Sequence, residues 1–360
     1  MPVVRDQYDS MNSVHPIFEM NLPEGALLEK LRLRFAKVMP NFDDLALLGI
    51  VGHSQIGRLR YAQPGAELTA PAAENLTKLL TYAGADELFT DLLERYANYS
   101  GISGMQPKVM VRAEEGPLDR VTHRSTTHIV KSFDPREFAD LAANEYFCTR
   151  AALHAGLPAA KLLLSDNRRL LIAERFDLRE DGTYLGVEDF CVLNALRPHG
   201  RYDSSYEHIA KRIRQFVSPE EVSTALEQLF LIVALCCAIE NGDAHLKNFA
   251  VMYENAQSKV FLAPAYDLIC TTLYQPQDSL ALTLNDSKSF PRAAELNAFA
   301  LKHCDLSGAK AKKLLRRVLK GIEQACTEIR EYTAKHRDFA NAGERLINRF
   351  NHGLQRLELK

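Results

Sequence analysis

The sequence predicts an α+β fold of two lobes, a β-rich lobe followed by a mainly helical one. Three observations carry that expectation. Between residues 105 and 131 the alternation at Val109, Val111 and then His128, Val130 has the period of a half-buried strand. Beyond Asp177 the pattern is chiefly helical, and Lys310 to Tyr332 carries Leu315, Leu319, Ile322, Cys326 and Ile329 on one face. At 360 residues the chain is also longer than one core usually serves. The division expected is 1–75 as a short mixed segment, 76–177 as a β-rich lobe and 178–360 as a mainly helical lobe.

Taken in order, Leu45 to Gly52 reads as the end of a helix and Gly57 to Tyr61 as a strand. Pro64-Gly65 marks a turn. Leu76 to Tyr99 reads as one helix. Met105 to Lys131 reads as strands joined by a turn at Glu115-Gly116-Pro117. Asp134 to Ala155 reads as a helix entered through Pro135 and stopped by Gly156. Lys161 to Leu164 and Leu170 to Phe176 form a hairpin around Asp166-Asn167. The apolar run Leu229 to Ile239 is too short to span a bilayer and reads as a buried helix.

Composition is that of an ordinary globular protein, with 46% hydrophobic and 25% charged residues. The net charge of −2 gives no bulk attraction to nucleic acid or to an anionic membrane. Seven scattered cysteines without a CxxC pair suggest neither zinc nor a disulfide framework, and reduced cytoplasmic thiols are expected. Met1 to Asn21 carries Arg5, Asp6, Asp9 and Glu19 and does not read as a signal peptide.

The stretch most informative about chemistry is Asn241-Gly242-Asp243-Ala244-His245-Leu246-Lys247-Asn248. An Asp can take a proton from a hydroxyl, and an Asn five positions later can bind a magnesium ion. Protein kinases use this spacing for a catalytic base and a metal ligand. Alone it also reads as a polar surface turn, since Asn-Gly-Asp is common in turns.

Four other segments supply further parts in the order phosphoryl transfer needs. Ser100 to Lys108, with Gly101, Ser103 and Gly104, is a small-residue loop before a strand, suited to backbone approach to phosphate or to plain strand entry. Lys131 ends an apolar strand and Glu145 lies on the next helix, which is either the phosphate-binding lysine with its glutamate or an unrelated surface pair. Glu174 and Phe176 leave the strand Leu171 to Phe176 as candidates for a connector that reads adenine; Phe176 equally suits the core. Asp267, flanked by apolar residues, is costly to bury unless it is paired or binds a cation.

Together these residues resemble the HipA family of bacterial toxin kinases. The matching stretches are Gly101 to Lys108, Thr127 to Lys131, Asn144 to Phe147, Glu174 to Asp177, Asn241 to Phe249 and Pro264 to Ile269. The resemblance implies a two-lobed kinase-like fold and a protein serine/threonine kinase using ATP and magnesium. Asp243 would be the catalytic base, with His245 and Lys247 on family loop positions and Lys247 steadying the transferring phosphate. Asn248 and Asp267 would hold metal. Ser103, Gly104, Lys131, Glu145, Glu174, Phe176 and Asn248 would bind the nucleotide. Family targets are aminoacyl-tRNA synthetases, and a DNA-binding antitoxin restrains the toxin.

Two departures accompany the resemblance. Where a two-serine loop reads Ser-Ile-Ser, this chain has Gly101-Ile102-Ser103, so Ser103 is the remaining candidate for autophosphorylation. The region before the loop is shorter than in full-length HipA, as in HipT-like kinases, whose separate small partner supplies the N-terminal subdomain. No direct nucleic-acid or membrane contact is expected. The alternative reading is a small-molecule phosphotransferase of the aminoglycoside or choline kinase type, which shares Gly-Asp-x-His-x-x-Asn. A catalytically idle binding module acting with an antitoxin is a third. Arg197 to Tyr206 reads as an exposed loop or a docking segment.

Overall fold

The computed structural model describes residues 14–35, 37, 39, 41–114 and 125–358. The first body is a small helical block, Pro16–Glu19, Gly25–Phe35 and Asp44–Val51. Asp43 caps the last of these by accepting the amide of Ala46 at 2.8 Å. Leu27, Leu31, Leu47 and Val51 pack there with Ile102 and Met110 of the following lobe. Residues 57–61 form no strand. Gly57 turns the chain with φ +85°, and the Tyr61 amide donates back to the Gly52 carbonyl at 2.8 Å, closing a loop instead of joining a sheet.

The β-rich lobe is built on β1 (Ala73–Asn75), β2 (Lys108–Glu114), β3 (His128–Ser132), β4 (Leu162–Leu164) and β5 (Leu170–Glu174), in the spatial order β1-β2-β3-β5-β4. The β1–β2 pair is parallel and the others antiparallel. Val109, Val111, Val130 and Ile172 face two helices, Leu76–Thr81 and Ala85–Tyr96, through Leu79, Leu92 and Tyr96. The opposite face, with Lys108, Ile129, Lys131 and Ala173, lines a cleft. The single helix expected over 76–99 is broken because Tyr82 turns extended and its carbonyl is taken by the Asn167 side chain at 2.8 Å. The expected turn at 115–117 lies outside the described residues.

The helix expected from Asp134 begins only at Leu141 and runs Leu141–His154. Asp134 bonds the backbone amide and side chain of Arg136, a local turn that competes with helix. Asp140 then takes a left-handed conformation, φ +56°, which interrupts any continuation. Gly156, φ +67°, closes the helix as its sequence suggests.

The second lobe packs Leu141–His154, Tyr206–Phe216, Val222–Ala238, Ala293–His303, Gly308–Lys335 and Ala340–Leu357 around one apolar core. It is not purely helical. A three-stranded antiparallel sheet, β6 (Gly186–Asp189), β7 (Ala250–Tyr253) and β8 (Val260–Leu262), lies beside the loop that carries Asp243. Its strands are too short for alternation to announce them. Leu315, Ile322, Cys326 and Ile329 are buried along Gly308–Lys335, as the periodicity requires. All seven cysteines are buried and unpaired. Among the described residues no helix is long and apolar enough to cross a membrane.

Candidate active site

The helix Val222–Ala238 delivers the chain into the central loop. Glu240 reverses it with φ +57°, and the amide of Asn241 returns to the Cys236 carbonyl at 2.8 Å. The Asn241 side chain then accepts the Asp243 amide at 2.9 Å, which fixes the backbone beneath Asp243. A short turn, Leu246–Asn248, follows, and the Asn248 Oδ1 accepts the His245 amide at 3.1 Å. That bond orients Asn248 Nδ2 toward Asp267 Oδ2, 3.4 Å away. The loop is thus rigid through its own side chains rather than through regular structure.

Glu240 also ties the loop to its support. It is buried and accepts Arg356 and His352, each at 2.6 Å, and the Thr272 hydroxyl at 2.8 Å. Burial raises the pKa of the carboxyl, but the bonds from Arg356, Thr272 and His352 outweigh it and hold the group below the usual glutamate value. One carboxylate therefore joins the base of the Asp243 loop, the segment after Asp267 and the helix Ala340–Leu357.

Lys131 comes from β3, on the cleft face of the sheet. Its ammonium is buried, 2.6 Å from Glu145 Oε1, and pairs with Asp267 Oδ1. Burial alone would lower the lysine pKa; the two carboxylates raise it instead. Asp267 responds in the opposite sense, with Lys131 and then Lys108 overcoming burial and holding its carboxyl well below the usual range. Glu145 is raised, because burial and the repulsion of Asp267 exceed the help of a shared lysine. A protonated Lys131 beside an ionised Asp267 is the state this geometry stabilises.

Asp267 sits at φ +53°, uncommon for a residue other than glycine and tolerated best by Asp and Asn. Among the described residues, no three His, Cys, Asp or Glu side chains converge as a metal cluster. A donor pair of one carboxylate and one amide carbonyl, Asp267 and Asn248, suits magnesium, which keeps waters and phosphate oxygens as its other ligands. The residue types fit that ion, but the Asn248 carbonyl is taken by the His245 amide and its Nδ2 faces Asp267, so the amide must turn over to offer its oxygen.

The loop before β2 is shaped by two glycines. Gly104, φ +123°, leaves no space for a Cβ beside the Lys108 ammonium. Gly101 packs on the 54–55 segment, donating to the Ser54 carbonyl at 2.9 Å; a Cβ would lie 2.6 Å from Ser54 O and from Gln55 Cγ. A serine at 101 does not fit this packing. Ser103 donates to Glu24 Oε1 at 2.8 Å, and Glu24 Oε2 accepts Arg201 at 2.9 Å.

The residues singled out by sequence, namely Ser103, Gly104, Lys131, Glu145, Glu174, Phe176, Asp243, His245, Lys247, Asn248 and Asp267, all border one cleft between the sheet and the second lobe. Lys247 points its ammonium at the Met20 carbonyl, 2.8 Å away, with Asp189 at 3.6 Å. The Phe176 ring lies 5.5 Å from that of Tyr266. The Glu174 amide is spent on the Lys161 carbonyl at 3.0 Å, and its side chain pairs with Lys161 in solvent.

Several residues of the site escape a reading by motif. Arg175 and Asp177 form a fully buried pair at 2.6 Å; Asp177 also accepts the Gly57 amide at 2.7 Å, and Arg175 reaches the Gln55 carbonyl at 2.9 Å. They dock the N-terminal block on the connector. Asp189 is a further buried acid behind Lys247, in a stretch where Glu188 precedes it. Tyr202 donates to Asp243 Oδ1 at 2.9 Å, and nothing in its local sequence announces that contact.

Comparison with known proteins places this geometry in a family. The model of the HipA-like C-terminal domain matches residues 100–326, and that of the HipA N-terminal domain matches residues 1–62. Y4mE of Sinorhizobium fredii, named as a candidate kinase, is 29% identical over 282 residues, covering 74% of this chain and 66% of that protein. Y4dM of the same bacterium, named likewise, is 26% identical over 196 residues, covering 50% and 46%. The matched part of the chain therefore spans just under two thirds of the first relative and under half of the second. A HipA chain of Shewanella oneidensis MR-1, solved with HipB and operator DNA, shares the fold at 20% identity and a TM-score of 0.69, over 94% of this chain and 84% of that one. With a single family model matching well over half of its length, the chain belongs to the HipA family.

Proposed function

We propose that the protein is an ATP-dependent protein serine/threonine kinase, acting as the toxin of a toxin–antitoxin pair. The observation that carries this reading is the meeting of Lys131, Glu145 and Asp267 in one cleft with Asp243 and Asn248. A buried cation held by two acids is what a site needs to receive phosphate charge, and an acid on an adjacent rigid loop is what it needs to receive a proton.

In this reading ATP is the donor substrate. Lys131 neutralises its phosphates, the Gly101 to Lys108 loop covers them, and the connector around Glu174 and Phe176 borders the adenine. Asn248 and Asp267 would hold magnesium, which supplies neutralisation of phosphate charge when bound. The acceptor oxygen attacks the γ-phosphorus, the bond to the β–γ bridging oxygen breaks, ADP departs and Asp243 takes the hydroxyl proton. Lys247, held by Met20 and Asp189, would come to the phosphate only by leaving the Met20 carbonyl.

The substrate class expected is an aminoacyl-tRNA synthetase, and the partner expected is an antitoxin of the DNA-binding kind, as the HipB complex of the Shewanella protein suggests. Ser103 is the loop serine available for autophosphorylation; a phosphate there adds roughly two negative charges beside Glu24 and expels it from that contact. Incubating the protein with γ-labelled ATP and a bacterial lysate tests the reading. A discrete labelled protein band, absent with Asp243→Asn, is expected; label found only in small molecules would reject it in favour of a small-molecule phosphotransferase.

A further inference from the structure

The Tyr202 phenol donates to Asp243 Oδ1 at 2.9 Å. A general base must stand about 2.6–3.2 Å from the oxygen whose proton it takes. If Asp243 is that base, the phenol oxygen holds the place at Oδ1 that an acceptor oxygen would take on the side of Tyr202. We propose that Tyr202 is a resident occupant of the acceptor subsite, which a polypeptide hydroxyl must displace before transfer. The inference rests on the kinase reading of the cleft and deepens it by naming what fills the subsite between substrates.

The surroundings of Tyr202 suit a side chain that comes and goes. Its exposure is 39%, so the ring is not held by a core. It packs edge-on to His245, with ring centroids 5.0 Å apart, and beneath the Arg201 guanidinium at 5.5 Å. Burial and then the charge of Asp243 raise its pKa, so at neutral pH it keeps the proton it donates. The short turn that carries it, Pro198–Tyr202, is tethered from outside: Arg201 binds Glu24 at 2.9 Å and Arg197 binds Glu19 at 2.6 Å. Glu24 in turn holds Ser103 of the loop over the phosphates. A continuous line of contacts, Ser103–Glu24–Arg201–Tyr202–Asp243, therefore joins that loop to the acceptor side of the cleft.

The occupant also defines the class of what replaces it. An incoming residue meets an imidazole edge, a guanidinium and a carboxylate, and must bring a hydroxyl that donates. A serine or threonine on an extended, flexible segment meets that need once the tyrosine has swung outward.

The test uses the purified full chain with ATP, with dephosphorylated casein and water as the two probe acceptors, and compares wild type with Tyr202→Phe, Tyr202→Ala and Asp243→Asn. Losing one hydrogen bond to a charged group should lower the KM for casein about tenfold in Tyr202→Phe. kcat should change little, and ATP hydrolysis should rise as water reaches Asp243. Tyr202→Ala should behave alike, and mass spectrometry of wild type should find casein phosphorylated on serine or threonine. An unchanged KM, or a tenfold fall in kcat at constant KM, would overturn the proposal and make Tyr202 a residue that merely orients Asp243. If Asp243→Asn transfers phosphate as wild type does, or no form acts on casein or water, the kinase reading itself fails instead.

Discussion

Removing the Lys131 ammonium, as in Lys131→Met, tests the centre of the site without reference to any substrate. Glu145 is 1% exposed, its Oε1 is bonded to Lys131, and its Oε2 makes no hydrogen bond among the described residues. Without the lysine that carboxylate is left buried beside Asp267, with Lys108 the cation remaining nearby. Breaking a buried pair from one side typically costs about 3–5 kcal/mol. The Asp267 bond adds less, because a third of that side chain is open to solvent. Neutralising the orphan should recover much of the loss. Lys131→Met/Glu145→Gln is therefore expected to be more stable than Lys131→Met, with a coupling of about 2 kcal/mol between the sites. Urea unfolding of the four forms, followed by circular dichroism, measures it. ATP affinity should stay low in both lysine variants, which separates stability from ligand binding. Strict additivity of the two single losses would refute the buried pair as drawn.

Four further outcomes are expected. Asp243→Asn should reduce phosphoryl transfer at least about a hundredfold, as loss of a general base does, while its melting temperature stays close to wild type. Gly101→Ser should cost about 1–3 kcal/mol, since its Cβ meets Ser54 and Gln55, and thermal melts with limited proteolysis of the 100–108 loop would register it. Arg175→Met should cost about 3–5 kcal/mol by stranding Asp177; a wild-type melting curve would contradict that. Glu240 has its pKa lowered by folding, so its contribution is full above the ordinary glutamate value of 4.5 and is lost as pH falls below it. Stability measured between pH 7 and pH 3.5 should drop more steeply in wild type than in Glu240→Gln.

Residues proposed to act through chemistry were readable from the chain, because phosphoryl transfer calls for those types in that order. Lys131, Glu145, Asp243, Asn248 and Asp267 come from four separate segments, yet each is recognisable by what it can bind. Residues that act by geometry were not. Tyr202 reaches Asp243 only because Arg201 and Arg197 grip acids near the start of the chain, Glu24 and Glu19, and no local pattern encodes a contact of that span. The lobes followed from periodicity, and the long helices did as well. The failures cluster where side chains compete with backbone: Asp134 turned a helical stretch into a turn, and Asn167 drew Tyr82 out of a helix. The sheet β6–β7–β8 escaped because three- and four-residue strands give periodicity nothing to repeat.

The Arg175–Asp177 pair has a consequence for motion. Glu174 to Asp177 all border the cleft, and where the strand gives way to a turn after Glu174 the buried Arg175 and Asp177 also bind the N-terminal block through the Gln55 carbonyl and the Gly57 amide. Lifting that block away would strip the Asp177 carboxylate of the Gly57 amide and the Arg175 guanidinium of the Gln55 carbonyl. The segment is keyed like a lock bolt: whatever lifts the N-terminal block must either carry this wall of the cleft along with it or leave two opposite charges to find water.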